Sequence, residues 1–138
     1  MVGSYVAAGL LACLTIRVFF ELQDSGPESA IRRFNDAIRD HDAESIRKLT
    51  TEPLEGDATR AMLAKLDAWD SDGATMQVTL MERSGDEVRA VVVFSLPKGT
   101  SSAMIWVVER RGKMWLVDAN KTATILWDNL GLGNPYRH

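Results

Sequence analysis

The spacing of apolar residues changes at Gly73, and this change limits the folds open to the chain. Before Gly73, apolar residues recur every three or four positions, as Ile31, Phe34 and Ile38 do, which is typical of amphipathic helices. After it, residues 75–96 alternate between apolar and polar, which is typical of strands with one buried face. The sequence therefore predicts helices first and strands afterwards.

Turn and capping residues divide the helical half into three predicted helices. The first runs from about residue 27 to residue 39, behind Ser25 and Glu28, which have the spacing of a capping box. Asp42 caps a short second helix, and a third is predicted from about residue 57 to residue 69. Each helix has one apolar face, so all three need a common apolar surface to cover.

Four short strands follow the helices, with turns at residues 84–86, 97–100 and 110–113. Because these links have hairpin length, strands that are consecutive in sequence are expected to pair as an antiparallel meander. A short C-terminal helix is predicted in the sequence ATILWDNLGLG. The expected fold class is α+β: three helices packed on one face of a four-stranded antiparallel sheet, in one domain from residue 24 to residue 138.

The first 23 residues are predicted to form a separate unit, a single transmembrane anchor. The stretch from Val2 to Leu22 has about 21 residues, and as a helix it would be about 30 Å long, the thickness of a hydrocarbon core. Arg17 lies near the C-terminal end of this stretch, where its side chain can reach the headgroups. The residues expected to contact the bilayer or its interface are Tyr5, Leu10, Leu11, Arg17, Phe19 and Phe20.

Three other interpretations of this segment remain open. Leu10 to Cys13 resembles a lipoprotein cleavage box, which would make Cys13 the lipidated residue, but no basic residue precedes it and apolar sequence follows it. A cleaved signal peptide needs a basic start and small residues at a cleavage site, and neither is present. A buried core helix is the third alternative.

Composition and residue types argue against several classes of function. The net charge of −3 is opposite to the basic surface that a nucleic-acid-binding protein needs. Asp40, His41 and Asp42 are metal-ligand types, but a zinc site needs three or four ligands, and apart from the C-terminal His138 no further histidine or cysteine lies in the domain. We therefore predict no metal, no cofactor and no nucleic-acid partner.

Two of the predicted strands are apolar on both faces. In SAMIWVV and MWLV, nearly every residue is apolar, so the side chains that point to each face of the strand are apolar. A half-exposed sheet instead alternates apolar with polar residues. Something must therefore cover the second face: the C-terminal segment, a partner protein or a second copy of the chain. The residues predicted to contact such a partner are Trp106, Ile125, Leu126, Trp127 and Leu130.

Two segments resemble a known superfamily. ESAIRRFNDAIRDHDAESIRKL is similar to the opening helices, and MIWVVERRGKMWLVDA to the closing hairpin, of the nuclear transport factor two-like superfamily, also called cystatin-like or SnoaL-like. The resemblance spans about residues 27–120. It implies a cone-shaped fold, in which the sheet curves around the helices. The superfamily includes ketosteroid isomerases, polyketide cyclases and dehydratases, and also non-catalytic adaptors and membrane-anchored scaffolds, so the fold does not decide the function.

The catalytic members usually place a carboxylate or histidine opposite a tyrosine or another donor in the cone. This chain has no tyrosine between Tyr5 and Tyr136. Asp118, Asn120 and Asn35 are the polar residues best placed to face a pocket, and the alternative for Asp118 and Asn120 is that they are strand-end and turn residues. We expect a non-catalytic accessory or scaffold subunit that docks on a membrane-protein complex or self-associates. The alternative is a tethered pocket protein that binds or converts a small apolar ligand.

Two arguments disagree on the side of the membrane. No basic residue precedes the predicted span, whereas Arg17 lies near its C-terminal end and Arg32, Arg33 and Arg39 follow it, a bias typical of a cytoplasmic domain. Arg17 alone would lie at the membrane edge, since the other arginines belong to the predicted first helix. The resemblance favours the opposite side, because most bacterial domains of this superfamily that follow an anchor face outward. We expect a bacterial inner-membrane protein with an extracytoplasmic domain.

Overall fold

A computed structural model describes residues 26–129, and these form the α+β arrangement that the sequence predicts. Helices precede strands, and one further helix follows them. The predicted anchor and Leu130 lie outside the described residues. The elements are α1 Pro27–Arg39, α2 Ala43–Lys48, α3 Gly56–Ser71, β1 Thr75–Ser84, β2 Glu87–Ser95, β3 Ser101–Arg111, β4 Met114–Val117 and α4 Ala119–Asn129.

The four strands form one sheet in the order β1-β2-β3-β4, and every neighbouring pair is antiparallel. This is the predicted meander. On β2 and β3 the buried side chains alternate along the strands and so share one face of the sheet, called here the inner face. Those residues are Val88, Ala90, Val92, Phe94, Met104, Trp106 and Val108.

Helices α1, α3 and α4 contribute to the core on this inner face. Ile31, Phe34 and Ile38 of α1 are all buried, which confirms the helical stripe seen in the sequence. Met62 and Leu66 of α3 are also buried and belong to the same cluster as the inner-face side chains. The helices therefore supply the second layer of a two-layer domain.

Helix α4 covers the edge of β3 beyond the end of the short strand β4. The backbone N–H of Val107 donates to the Thr122 hydroxyl at 2.9 Å, and the Val107 carbonyl accepts from the Asp118 N–H at 2.8 Å. These two bonds satisfy groups of β3 that would otherwise lack a partner strand. The start of α4 thus makes the backbone hydrogen bonds to Val107 that a longer strand β4 would make.

The structure describes the start of α1 from Gly26 onward. The residue that caps α1 is Gly26, with Pro27 in the first turn, and no side chain among the described residues caps the free N–H groups there. Ser25, the other half of the predicted capping box, lies outside the described residues, and the Glu28 carboxylate pairs with Arg32 at 2.8 Å. Pro27 is well suited to this place because a first-turn residue needs no intrahelical N–H bond.

The turn between α1 and α2 contains His41, whose φ of 53° lies in the left-handed region. The His41 N–H donates to the Ile38 carbonyl and the Asp42 N–H to the Ala37 carbonyl, the paired bonds of a Schellman C-cap. Asp42 then begins α2, and its carboxylate accepts from the Ser45 N–H at 3.1 Å, as the sequence predicts.

Strand β1 has the predicted extent but is irregular. Its pairing with β2 shifts register between Val78 and Leu80, which is a bulge. The extra residue, Thr79, moves Leu80 to the outer face of the sheet, where 65% of its surface is exposed. β1 is also an edge strand, and a bulge is a common device against pairing of an edge with another chain.

No helix among residues 26–129 is long and apolar enough to cross a membrane.

Candidate functional site

The centre of the inner face, where catalytic members of the resembled superfamily have a pocket, is filled by aromatic side chains. Phe34 and Trp106 are both 0% exposed, and their rings meet edge to face with centroids 5.7 Å apart. The rings of Trp69 on α3 and Phe94 on β2 also pack together, with centroids 4.9 Å apart. The Trp106 indole N–H has no hydrogen-bond partner in the described part of the chain. These rings make the centre of the cone a packed core.

A buried polar pair lies between α1 and the C-terminal end of α3. The Asn35 amide donates to Asp70 Oδ1 at 3.3 Å, and Asn35 is only 6% exposed. Asn35 Oδ1 and Asp70 Oδ2 are buried, and neither has a hydrogen-bond partner among residues 26–129. Two acceptor oxygens are thus left without donors, which is costly in a protein interior.

Burial raises the pKa of the Asp70 carboxyl above its ordinary value, and this outweighs the lowering by the Asn35 amide and by Arg39. The folded domain therefore binds more protons than the unfolded chain at pH values between the ordinary Asp pKa of 3.8 and the raised pKa of Asp70. Asp70 contributes stability below this window, and that contribution is lost as the pH rises through it.

Replacing Asp70 with asparagine should remove this pH dependence, because an amide accepts the same Asn35 bond without a charge to bury. We expect the free energy of unfolding of Asp70→Asn to improve relative to the wild type as the pH rises from below 3.8 toward neutrality. Urea titrations at several pH values measure this. Asp72→Asn, two residues away, controls for the loss of one acidic group. Parallel curves for wild type and Asp70→Asn would contradict the assignment.

Asp118 and Asn120, predicted as pocket residues, make structural hydrogen bonds. Asp118 begins α4, where its carboxylate accepts from the Lys121 N–H at 3.0 Å. Asn120 Oδ1 accepts from the Thr59 hydroxyl at 2.8 Å and from the Glu55 N–H at 3.1 Å, and its amide donates to the Pro53 carbonyl at 3.0 Å. Asn120 thereby joins α4 to the loop before α3 and to the first turn of α3.

The structure does not bring the three predicted pocket residues together. Asn120 bonds Thr59 near the start of α3, whereas Asn35 bonds Asp70 near its end. Eleven residues of helix separate those two contacts, about 16 Å along the axis at 1.5 Å per residue. They form two polar clusters at opposite ends of α3.

Several residues predicted to contact a partner pack within the chain. Trp106 is fully buried and Leu126 is 6% exposed, so neither is available on the described surface. The Trp127 indole N–H donates to the Ala58 carbonyl at 3.0 Å, and Lys65 lies over its ring. Ile125 is half-buried, and Leu130 lies outside the described residues.

The outer face of the sheet carries a contiguous apolar surface, called here the outer patch. Val107 is the one outer-face residue of β3 that is buried, beside Thr122 of α4. On β1, β2 and β3 the strand register places the other apolar residues of this face opposite one another, and all are half-buried or exposed. Met114 and Leu116 of β4 lie on the same face, opposite Arg111 and Glu109. The outer patch consists of Leu80, Val91, Val93, Ala103 and Ile105.

Two of these contacts were not predicted from the sequence. Asn35 and Asp70 are 35 positions apart, and nothing in their local patterns indicates that they meet. His41 was interpreted as a solvated turn residue, and its side chain is 73% exposed, but its contact with α3, where Nε2 lies 2.9 Å from Asp67 Oδ1, was not predicted. The positive φ of His41 was the missing signal, and a sequence does not reveal it at a residue other than glycine.

Comparison with known proteins bears on the fold. No protein-family model matches the sequence, and no curated protein matches it. A crystal structure from Campylobacter jejuni, of a protein described as an NTF2-like transpeptidase, aligns with a TM-score of 0.52 and 15% sequence identity. The alignment covers 67% of this chain and 97% of the other. The described domain therefore has an NTF2-like fold, the fold that its opening helices and closing hairpin resemble.

Proposed function

We propose that the chain is a non-catalytic, membrane-anchored accessory or scaffold subunit that docks through its sheet onto a membrane-protein complex or a second copy of itself. The observation that carries this proposal is the outer patch. Its members lie side by side, since Leu80 pairs with Val91 and Val91 with Ile105. Their side chains remain accessible, most of all that of Leu80.

The physical argument is the free energy of burial. Covering a Val, Leu or Ile side chain is worth about 1.5–3 kcal/mol, so a patch of this composition would dominate an interface. Polar residues border it: Gln77 and Thr79 on β1, and the ion pair of Arg89 with Glu87 on β2. An apolar centre with a polar rim is typical of protein interfaces.

The inner face supports a non-catalytic role. Phe34 and Trp106 occupy the centre of the cone, where a substrate of the catalytic members would lie. The carboxylate of Asp118 and the amide of Asn120 are engaged in hydrogen bonds that hold α4. What the described surface offers a partner is therefore mainly apolar area on the outside of the sheet.

Ile105→Glu tests the docking surface. Ile105 lies in the middle of the outer patch and is half-buried, so a carboxylate there should abolish docking while the inner core stays intact. We expect full-length protein purified in mild detergent to lose its co-purifying subunit, or to fall from dimer to monomer in light scattering. Ala68→Glu, which places the same charge on the exposed side of α3, is the matched control. Unchanged assembly of Ile105→Glu would reject this surface.

The anchor has a separate test, since residues 1–23 lie outside the described part of the chain. A double change of Leu10→Asp and Leu11→Asp places two charges near the middle of the proposed span, where each costs about 2.5–3.5 kcal/mol. We expect the protein to move from carbonate-washed membranes to the soluble fraction. Thr15→Ser is the control. The double-aspartate variant is also tested together with Ile105→Glu, which removes docking. If that combined variant still remains in the membranes, the anchor is contradicted.

For either candidate function we propose an extracytoplasmic position for the domain.

A pocket protein is the second candidate. The observation that favours a pocket is the buried Asn35–Asp70 pair, with one oxygen on each residue that has no partner among the described residues and a carboxyl whose pKa is raised by burial. Raised carboxyl pKa values are frequent at functional sites. Saturable binding of an apolar probe that is lost in Asp70→Asn would favour this candidate over docking.

A further inference from the structure

We propose that a cavity between α2 and α3 binds a compact, neutral, apolar molecule with one hydroxyl group, and that His41 accepts the hydrogen bond from that hydroxyl. The site lies on the helical side of the domain, apart from the outer patch. The inference is therefore independent of the docking role proposed above.

The cavity is open to solvent, with a volume of about 320 Å³, and the side chains of His41 and Asp67 in its lining are 73% and 42% exposed. Small-molecule sites commonly have volumes of about 300–1,000 Å³, so this one suits a compact ligand. Most of its lining is aliphatic, and the polar groups are confined to His41 and Asp67. The aliphatic lining residues are Ile38, Ala43, Ile46, Leu63 and Ala64.

The backbone at His41 gives a reason to look for a role of its side chain. His41 occupies the left-handed position of the α1 C-cap, where glycine fits without strain. A residue with a Cβ is less stable there by about 1 kcal/mol. The Schellman bonds need only the backbone, so the cap itself does not explain an imidazole at this position.

Asp67 fixes the orientation of the imidazole. Its Oδ1 lies 2.9 Å from His41 Nε2, and because a carboxylate only accepts, Nε2 carries the hydrogen of this bond. In the neutral ring, Nδ1 is then an acceptor. Nδ1 has no partner among the described residues. A carboxylate that orients an imidazole in this way is a common device for presenting the other nitrogen to a ligand.

The charges around the cavity select the kind of ligand. Asp67 contacts the imidazole, and it is the one carboxylate among the described lining residues. A carboxylate or phosphate ligand would be repelled by this group. A cationic ligand would have to compete with the imidazole for the same carboxylate, because the other lining side chains are aliphatic. A neutral donor, an alcohol or a phenol, fits both constraints.

The experiment is a methyl NMR titration of the full chain with 4-methylphenol, and with toluene as the probe that lacks the hydroxyl. Ile38 and Ile46 line the cavity, whereas Ile31 in the core and Ile105 on the outer face serve as internal controls. We expect saturable shifts at Ile38 and Ile46 only. Toluene should bind about threefold to tenfold more weakly, the value of one hydrogen bond.

Two variants complete the test. His41→Asn keeps a residue that tolerates the left-handed region but lacks the imidazole, so it should bind both probes with similar affinity. Ala64→Leu fills the cavity and should bind neither probe. Absence of saturable shifts at Ile38 and Ile46 in the wild type would overturn the proposal. So would equal binding of the two probes by the wild type, or a preference for 4-methylphenol that survives His41→Asn.

Discussion

Trp106→Ala is expected to remove about 3–5 kcal/mol from the free energy of unfolding, a large fraction of the roughly 5–15 kcal/mol that stabilises an ordinary domain. Trp106 is 0% exposed and is the largest of the fully buried side chains of the described domain. The Trp106 ring contacts that of Phe34 on α1, so loss of the indole leaves a cavity between the helical layer and the sheet. Urea unfolding followed by circular dichroism measures the change.

Two matched variants separate packing from other effects. Trp115→Ala removes an indole that is only half-buried, beside Arg83, and should cost much less. Trp106→Phe keeps an aromatic ring and removes an indole N–H that has no partner among residues 26–129. We expect it to retain most of the stability. The loss of ring volume is destabilising, but the removal of a buried donor without a partner offsets part of that cost. Similar losses for Trp106→Ala and Trp115→Ala would contradict the packed core.

Asn120→Ala is the second large effect, expected at about 1–3 kcal/mol. Most of this cost comes from Thr59, which is 2% exposed and whose hydroxyl donates to Asn120 Oδ1. The other two partners, the Glu55 N–H and the Pro53 carbonyl, lie near solvent and can bond water instead. Because the loop before α3 loses its attachment to α4, proteolysis near residues 52–55 should also accelerate.

Asn120→Asp is the control for that prediction. The carboxylate keeps the acceptor for Thr59 and Glu55 but no longer donates to Pro53. We expect a smaller loss of unfolding free energy than for Asn120→Ala. The difference between the two variants reports on the bonds that residue 120 accepts from Thr59 and Glu55. If Asn120→Ala unfolds at the same urea concentration as the wild type, the loop is held by other contacts.

Periodicity was a good guide wherever an element has one buried face. The stripe of Ile31, Phe34 and Ile38 predicts α1, and the alternation in residues 88–96 predicts β2, because burial of one face enforces the period. Strand β1 was predicted less well. Thr79 forms a bulge there, and one extra residue inverts the alternation without leaving a signal in the sequence.

The polar contacts were harder to predict than the elements. Asn120 has the residue type and place of a pocket group, but its three hydrogen bonds reach residues 53–59, far away in sequence. Asn35 and Asp70 meet only because α1 crosses the end of α3. Hydrogen bonds between distant residues depend on how the elements pack, and local patterns contain no information on that packing.

The contact of Phe34 with Trp106 has a consequence for synthesis of the chain. Trp106 leaves the ribosome about 70 residues after Phe34, which at about 5–20 residues per second is a delay of roughly 4–14 s. Helix α1 precedes the strands that cover it, and its buried stripe contacts β3 and β4, the last strands made. The meander, by contrast, joins neighbours in sequence and can pair as it emerges. For those seconds the apolar face of α1 is open to chaperones, to a membrane or to another nascent chain.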